Sequence, residues 1–135
     1  MFPNVKHFLG STFALATLAV SAAAATLPLK PGDYVRAGFA CAGAPLAARL
    51  SYDGRSFTGA HTSNCSTTVR SIQGSRYVLQ STCGAAGDGS PTLSYTEAQT
   101  VTVRTSSRIT FTHRTGAGTL DRADYRWCEK TASQQ

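Results

Sequence analysis

Four cysteines are the residues in this sequence with the greatest capacity for chemistry, and their spacing limits what they can do. Cys41, Cys65, Cys83 and Cys128 are separated by 24, 18 and 45 positions. Zinc sites usually present cysteines in close pairs, and catalytic redox pairs have two residues between them. Neither arrangement occurs, so the pattern predicts two structural disulfides and neither a metal nor another cofactor.

A hairpin between Cys65 and Cys83 predicts which cysteines pair. If this segment folds back around Gly74, the two cysteines lie opposite each other and share a face with Val69, Leu79 and Tyr77, with Ile72 and Val78 as exceptions on the other face. That register requires a three-residue loop, 73–75, or an equivalent bulge in one strand. The hairpin therefore predicts a Cys65–Cys83 disulfide.

Elimination then pairs Cys41 with Cys128. Such a bridge would join the end of the first predicted strand to the last strand, which is the contact that closes a barrel. Four cysteines allow other connectivities, and the alternative is Cys41–Cys65 together with Cys83–Cys128.

Histidines and carboxylates are the remaining candidates for acid–base chemistry. His61, His113 and Glu97 could act as general base and general acid in a small secreted ribonuclease, with Arg104 or Arg108 holding the phosphate. Nothing in their spacing forces these residues together. The sequence also contains no nucleophile elbow, zinc-protease motif or phosphate-binding glycine loop. It therefore favours a non-enzymatic protein over a ribonuclease.

Positive charge points to the kind of partner. The chain has 13 basic and 7 acidic residues, a net charge of +6, which favours anionic partners such as an acidic glycan, lipopolysaccharide or an acidic protein. Arg104, Arg108 and Arg114 lie along one predicted hairpin, and guanidinium groups suit carboxylate and phosphate. These three arginines are a possible anion-binding surface.

Alternating apolar and polar residues predict strands rather than helices after residue 25. In 100–112 the alternation predicts a hairpin about Ser106, with Val101 opposite Phe111. One face of this hairpin is apolar and the other is Thr- and Arg-rich, as expected of an antiparallel sheet with one solvated face.

A second hairpin is predicted in residues 46–57. Asp53-Gly54 is a favoured two-residue type I′ turn, because both of its positions need a positive φ. That turn would place Tyr52 opposite Arg55.

About eight short strands are predicted in all, from 33–38 at the start to 123–128 at the end. They predict an all-β domain over residues 26–135, with a frayed tail at 131–135. The architecture is a small antiparallel up-and-down β-barrel or a sandwich, and a barrel would bring the last strand beside the first. The aromatic residues are expected to fill the core, unless some line a cavity for a small apolar ligand. They are Tyr34, Tyr52, Phe57, Tyr77, Phe111, Tyr125 and Trp127.

The first 25 residues have the organisation of a secretory signal peptide. Lys6 precedes an apolar run from Phe8 to Val20, and Ala23 and Ala25 satisfy the small-residue cleavage pattern. Cleavage after Ala25 would leave 110 residues and, with Lys6 removed, a net charge of +5. The apolar run is shorter than the roughly 20 residues that a membrane-spanning helix needs.

In layout the chain resembles small exported β-barrel proteins of Gram-negative bacteria that have no assigned function. This resemblance covers residues 26–128 and includes the ending Tyr125-Arg126-Trp127-Cys128. In size, signal peptide and disulfide use it is also similar to inhibitors of C-type lysozyme, whose Ser-Gly-x-x-Tyr type motif enters the lysozyme active site. Ser56-Phe57-Thr58-Gly59 and Gly74-Ser75-Arg76-Tyr77 share only the composition of that motif, so no functional residue is carried over.

Together these features predict a non-enzymatic envelope protein, periplasmic or secreted, that binds an anionic or protein partner. A monomer without a membrane span or a specific nucleic-acid partner is expected. A secreted inhibitor of a cell-wall hydrolase and a ribonuclease using His61 and His113 are the alternatives.

Overall fold

Eight antiparallel strands form a single sheet in the computed structural model, which describes residues 26–115 and 117–129. The strands are β1 (Gly32–Arg36), β2 (Arg49–Tyr52), β3 (Phe57–Thr58), β4 (Ser63–Gln73), β5 (Arg76–Ala85), β6 (Pro91–Thr105), β7 (Arg108–Arg114) and β8 (Leu120–Cys128). A 3₁₀ turn, Leu46–Ala48, precedes β2. The predicted signal peptide, 1–25, and the predicted frayed tail, 131–135, lie outside the described residues.

The sheet curls into a nearly closed barrel. Its strand order is β3-β2-β1-β8-β7-β6-β5-β4, so the two outermost strands are consecutive in the chain. A bridge between Gly59 and Thr62 joins the end of β3 to the start of β4. The predicted all-β barrel is confirmed, and the sandwich alternative does not apply.

Inward-facing apolar side chains fill one end of the barrel. Its core includes Tyr34, Leu79, Val101 and Ile109, each at most 1% exposed. The segment before β1 covers this end, since Leu27 and Leu29 are buried in the same cluster. The amide of Lys30 donates to the carbonyl of Ser106 in the β6–β7 turn at 2.8 Å. We refer to this end as the closed end.

Pairing of the first and last strands joins β1–β3 to β4–β8 in one continuous sheet. Tyr34 pairs with Trp127, and Asp33 pairs with Cys128. The β1–β2 connection contributes Cys41, which is disulfide-bonded to Cys128. The predicted neighbours and the predicted bridge are confirmed.

The β4–β5 hairpin confirms the second bridge but refines its register. Cys65 pairs with Cys83 and is bonded to it, as predicted. A bulge at Arg70 then shifts the pairing by one residue, so the turn is the two-residue Gly74-Ser75 rather than the loop 73–75. The sequence allowed a bulge in place of the three-residue loop, and this bulge accommodates the same extra residue within β4. It leaves the disulfide on the inner face.

The β6–β7 hairpin has the predicted register, with Val101 opposite Phe111. The predicted turn between β2 and β3 is wrong, because Tyr52 pairs with Phe57 and not with Arg55. The Asp53 carboxylate accepts bonds from the amides of Arg55 and Ser56, both at 2.7 Å. This side-chain bonding stabilises a four-residue connection instead of the two-residue turn.

The two disulfides are expected to contribute unequally to stability. They close loops with sequence separations of 87 and 18 residues, and loop-closure entropy grows with loop length. Replacing Cys41 and Cys128 by Ala should lower the free energy of unfolding by about 4–5 kcal/mol, against about 3 kcal/mol for Cys65 and Cys83. Urea denaturation of the two double variants measures the difference. A larger loss for the Cys65/Cys83 variant would contradict this account.

Candidate functional site

The end of the barrel opposite Leu27 and Leu29 opens into a pocket of about 940 Å³. Strand β6 and the β3–β4 turn (59–62) extend to this end of the barrel, whereas the apolar core fills the other end. We call this the open-end pocket. The pocket is lined by Ala47 of the 3₁₀ turn, by the 59–62 turn, by the residue after β7, and by residues of β2, β3, β6, β7 and β8.

Apolar and aromatic side chains line the inner part of the open-end pocket. Leu50, Phe57, Phe111 and Tyr125 belong both to this lining and to the buried core. The ring centroids of Phe57 and Phe111 lie 5.2 Å apart, and those of Phe111 and Tyr125 lie 6.3 Å apart. Burial raises the pKa of the Tyr125 hydroxyl, which therefore stays neutral. Five of the seven aromatic residues named from the sequence are buried in the core, whereas Tyr77 and Trp127 are partly buried against it, and some of the buried ones also line a cavity.

Polar side chains occupy the same inward-facing positions nearer the opening. The sheet register aligns Gln99 of β6 with His113 of β7, and His113 with Asp121 of β8. Gln99 donates to the Glu97 carboxylate at 2.7 Å. Asp121 is paired with Arg36 at 3.3 Å. Because side chains alternate between the two faces of each strand, the same inner face of the barrel is apolar in the core and polar near the opening.

Three polar atoms in this region lack a hydrogen-bond partner. They are Arg49 Nε, Gln99 Oε1 and His113 Nδ1, and they are the buried side-chain nitrogen and oxygen atoms without a partner in the described part of the chain. All three residues line the open-end pocket. Buried polar atoms are nearly always hydrogen-bonded, because leaving one unsatisfied costs about 1–3 kcal/mol. Because all three residues line one pocket, the groups that satisfy these atoms, water or a ligand, would enter through it.

The structure brings three of the candidate acid–base residues to the open-end pocket. His61, on the exposed 59–62 turn, lines it together with Glu97 and His113. Sequence spacing alone did not require this convergence. The proposed phosphate-holding residues Arg104 and Arg108 do not line the pocket; they flank the β6–β7 turn at the closed end.

The three candidate anion-binding arginines do not form one site. Arg104 donates to the Thr110 hydroxyl at 3.3 Å near the closed end. Arg114 lies at the other end of β7, lines the open-end pocket and donates to the Gly118 carbonyl. The seven residues from Arg108 to Arg114 span about 20 Å at 3.3 Å per residue. Only Arg114 is placed to contribute to the pocket.

Sequence reasoning did not select Arg49, Gln99 or Asp121. The alternating pattern of β6 could have identified Gln99, because Gln99 lies on the same strand face as Val101 and Val103. A polar residue in the inward series of a strand is a buried polar candidate. No comparable local signal identifies Arg49, whose position depends on how the sheet closes.

Comparisons with known proteins found no relative of this chain. No family model matches the chain, and neither the curated proteins nor the solved structures give a significant match. Within residues 26–115 and 117–129, no cluster of three or more His, Cys, Asp or Glu side chains is arranged to hold a metal ion. No helix in the same residues is long and apolar enough to cross a membrane.

If Gln99 serves a ligand rather than the fold, its removal should not weaken the barrel. Gln99→Met keeps the side-chain volume and eliminates the unpartnered carbonyl, which should offset the loss of the bond to Glu97, so the free energy of unfolding should change by less than about 0.5 kcal/mol. Thr110→Val is the matched control. Thr110 is equally buried, but its hydroxyl is bonded to Arg104 and, at 2.6 Å, to Asp124, so its loss should destabilise by about 1 kcal/mol. Equal destabilisation of the two variants in urea would contradict this assignment.

Proposed function

We propose that this protein is an exported, non-enzymatic binding protein whose open-end pocket takes a small amphipathic molecule with an anionic head group. One observation carries the proposal: every partnerless buried polar atom in the described residues belongs to a residue lining that pocket. A volume of about 940 Å³ also lies within the range of roughly 300–1,000 Å³ that is typical of small-molecule sites.

The chemistry of the lining suggests how such a molecule is held. Its apolar part would pack on Leu50, Phe57 and Phe111, which already form part of the core. Its head group would accept a bond from Arg49 Nε, and a hydroxyl or amine nearby would donate to Gln99 Oε1. Charge-assisted bonds of this kind contribute more than neutral ones. An anionic head fits because Asp121 is already neutralised by Arg36.

An oxidising compartment is supported by the cysteines. All four are disulfide-bonded, and such bonds persist in secreted and periplasmic proteins. With the predicted signal peptide, this supports an exported protein of the Gram-negative envelope, periplasmic or secreted. A net positive charge disfavours self-association and supports a monomer.

Inhibition of a cell-wall hydrolase has weaker support. Ser56 and Phe57 are 4% and 2% exposed, so the first segment that shares the composition of the inhibitor motif cannot enter another protein's active site. The second segment, Gly74-Ser75-Arg76-Tyr77, begins in the exposed β4–β5 turn at the closed end.

Titration with 8-anilinonaphthalene-1-sulfonate, an anionic amphipathic fluorophore, tests pocket binding. The native protein should bind one equivalent, and Arg49→Gln should weaken binding roughly tenfold because a charge-assisted bond is lost. Arg104→Gln is the control, since it removes the same charge at the closed end. Near-ultraviolet circular dichroism should confirm native packing, because this dye also binds partly folded states. Equal affinity of the two variants would refute the proposed site.

RNA cleavage is a second candidate, favoured by the shared location of His61, His113 and Glu97. One of these groups would take the proton of the ribose 2′-hydroxyl as it attacks the phosphate, and another would protonate the leaving 5′-oxygen. Arg114, rather than Arg104 or Arg108, lies where it could stabilise the phosphate.

Purified protein incubated with single-stranded RNA distinguishes the two candidate functions. A ribonuclease should release cyclic-phosphate fragments, and a His61→Ala, His113→Ala variant should lose at least about a hundredfold in rate. The binding proposal expects no cleavage above that of the variant. The fluorophore titration of both proteins provides the control for an intact pocket.

A further inference from the structure

Strand β6 extends beyond the strand beside it. Its pairing with β7 stops at Gln99 and His113, whereas its pairing with β5 continues to Pro91. Among the described residues, 95–98 therefore have ladder partners on the β5 side alone, and 92–94, where the β5–β6 register is irregular, have no ladder partner. We call residues 92–98 the β6 overhang; at about 3.3 Å per residue it is some 23 Å long.

The backbone of the β6 overhang offers hydrogen-bonding groups along its free side. The Val103 amide donates to the Ser75 carbonyl on the β5 side at 2.8 Å. Backbone groups of successive strand residues point alternately to the two sides, and the β5–β6 register is regular from Thr102 to Tyr95. Thr96 accordingly presents its N–H and C=O groups to the free side, and Ala98 presents its N–H, because the Ala98 carbonyl already accepts from the Arg114 amide in the bonds that flank the Gln99–His113 pair.

Side chains of the β6 overhang suit contact with another strand. Residues 92–96 are uncharged and exposed, and Leu93 is 93% exposed. Proteins normally protect such edges with charges, bulges or proline. The outer edge of β4 carries the Arg70 bulge, and the β6 overhang has an irregular register at 92–94, so its regular part is 95–98. Within that regular part the one charged side chain, Glu97, lies at the open-end pocket, which leaves the backbone edge at Thr96 accessible to another strand.

We propose that the β6 overhang binds an extended acidic segment of a partner protein, which adds to the sheet as a strand. Main-chain bonds to Thr96 and Ala98 would supply affinity, and alternate guest side chains would meet Leu93, Tyr95 and the rim of the open-end pocket. This interaction is distinct from small-molecule binding, because it uses the backbone edge rather than Arg49 and Gln99.

Charge selects the acidic guest over a second copy of this chain. Two copies of the cleaved chain, each with a net charge of +5, repel each other. At the neighbouring pocket Arg114 and Arg49 are the cations, and of the two carboxylates there Asp121 is already paired with Arg36. An acidic segment would be attracted to this rim, and opposite charge also raises the rate of association.

A labelled peptide tests this inference. The probe is a capped ten-residue peptide alternating valine with aspartate and threonine, followed by fluorescence anisotropy at low salt. Thr96→Pro removes the free-side N–H, and Thr96→Val is its matched control. Both variants lose the Thr96 hydroxyl, which lies 2.8 Å from the Thr82 hydroxyl, but only Val keeps the N–H. Binding should persist with Thr96→Val and weaken roughly tenfold with Thr96→Pro.

Two altered peptides keep the test valid even if Thr96→Pro fails to fold. Adding N-methyl groups on both strand edges should abolish binding to the native protein, and replacing aspartate by lysine should weaken it roughly tenfold. Unchanged binding of the N-methylated peptide or to Thr96→Pro would overturn strand addition. Equal binding of the lysine peptide would overturn the acidic preference. Dimers of the native protein that Thr96→Pro abolishes would show that a second copy occupies the edge.

Discussion

Pairing of β1 with β8 is the interaction on which the rest of this structure depends. Without it the sheet would divide into two pieces, β1–β3 and β4–β8, because the outermost strands β3 and β4 are joined by the single bridge between Gly59 and Thr62 in the described residues. The four paired positions of β1 are few, but Cys41–Cys128 links the connection after β1 to the end of β8. That disulfide restricts the unfolded chain over 87 residues, so it favours the one arrangement in which first and last strands meet.

Closure also explains why the inner face changes character along the barrel. Near the β6–β7 turn the curled sheet and the segment with Leu27 and Leu29 exclude water, and inward positions are apolar. At the other end no described segment covers the barrel, and inward positions of the same strands become Gln99, His113 and Asp121. The period-two alternation determines which residues face inward. Their distance from the segment with Leu27 and Leu29 determines whether they are shielded from water.

The local interactions of each element determine how much of the fold and of the pocket could be predicted from the sequence. The register about Ser106 followed from alternation, because a one-residue slip would expose Val101 and Phe111. The Asp53 turn was mispredicted because its carboxylate bonds two backbone amides, an alternative that dipeptide preference does not capture. The pocket was beyond sequence reasoning for a different reason: Arg49 and Gln99 lie in strands that pair with different neighbours, and only closure brings them to one cavity.

The Cys65–Cys83 disulfide lies in a part of the sheet that the β1–β8 pairing does not stabilise. Cys83 pairs with Cys65 on one side and with Tyr95 on the other, so the bridge lies at the level of the β6 overhang. Beyond Gln99, β6 has lost β7 as a neighbour, and a short sheet without a covered face is only marginally stable. A covalent link between β4 and β5 at that level restricts the strands to which the overhang is attached. The protein can then keep an open edge and unpaired polar groups at one end without losing order there, because the disulfide provides the restraint that packing does not.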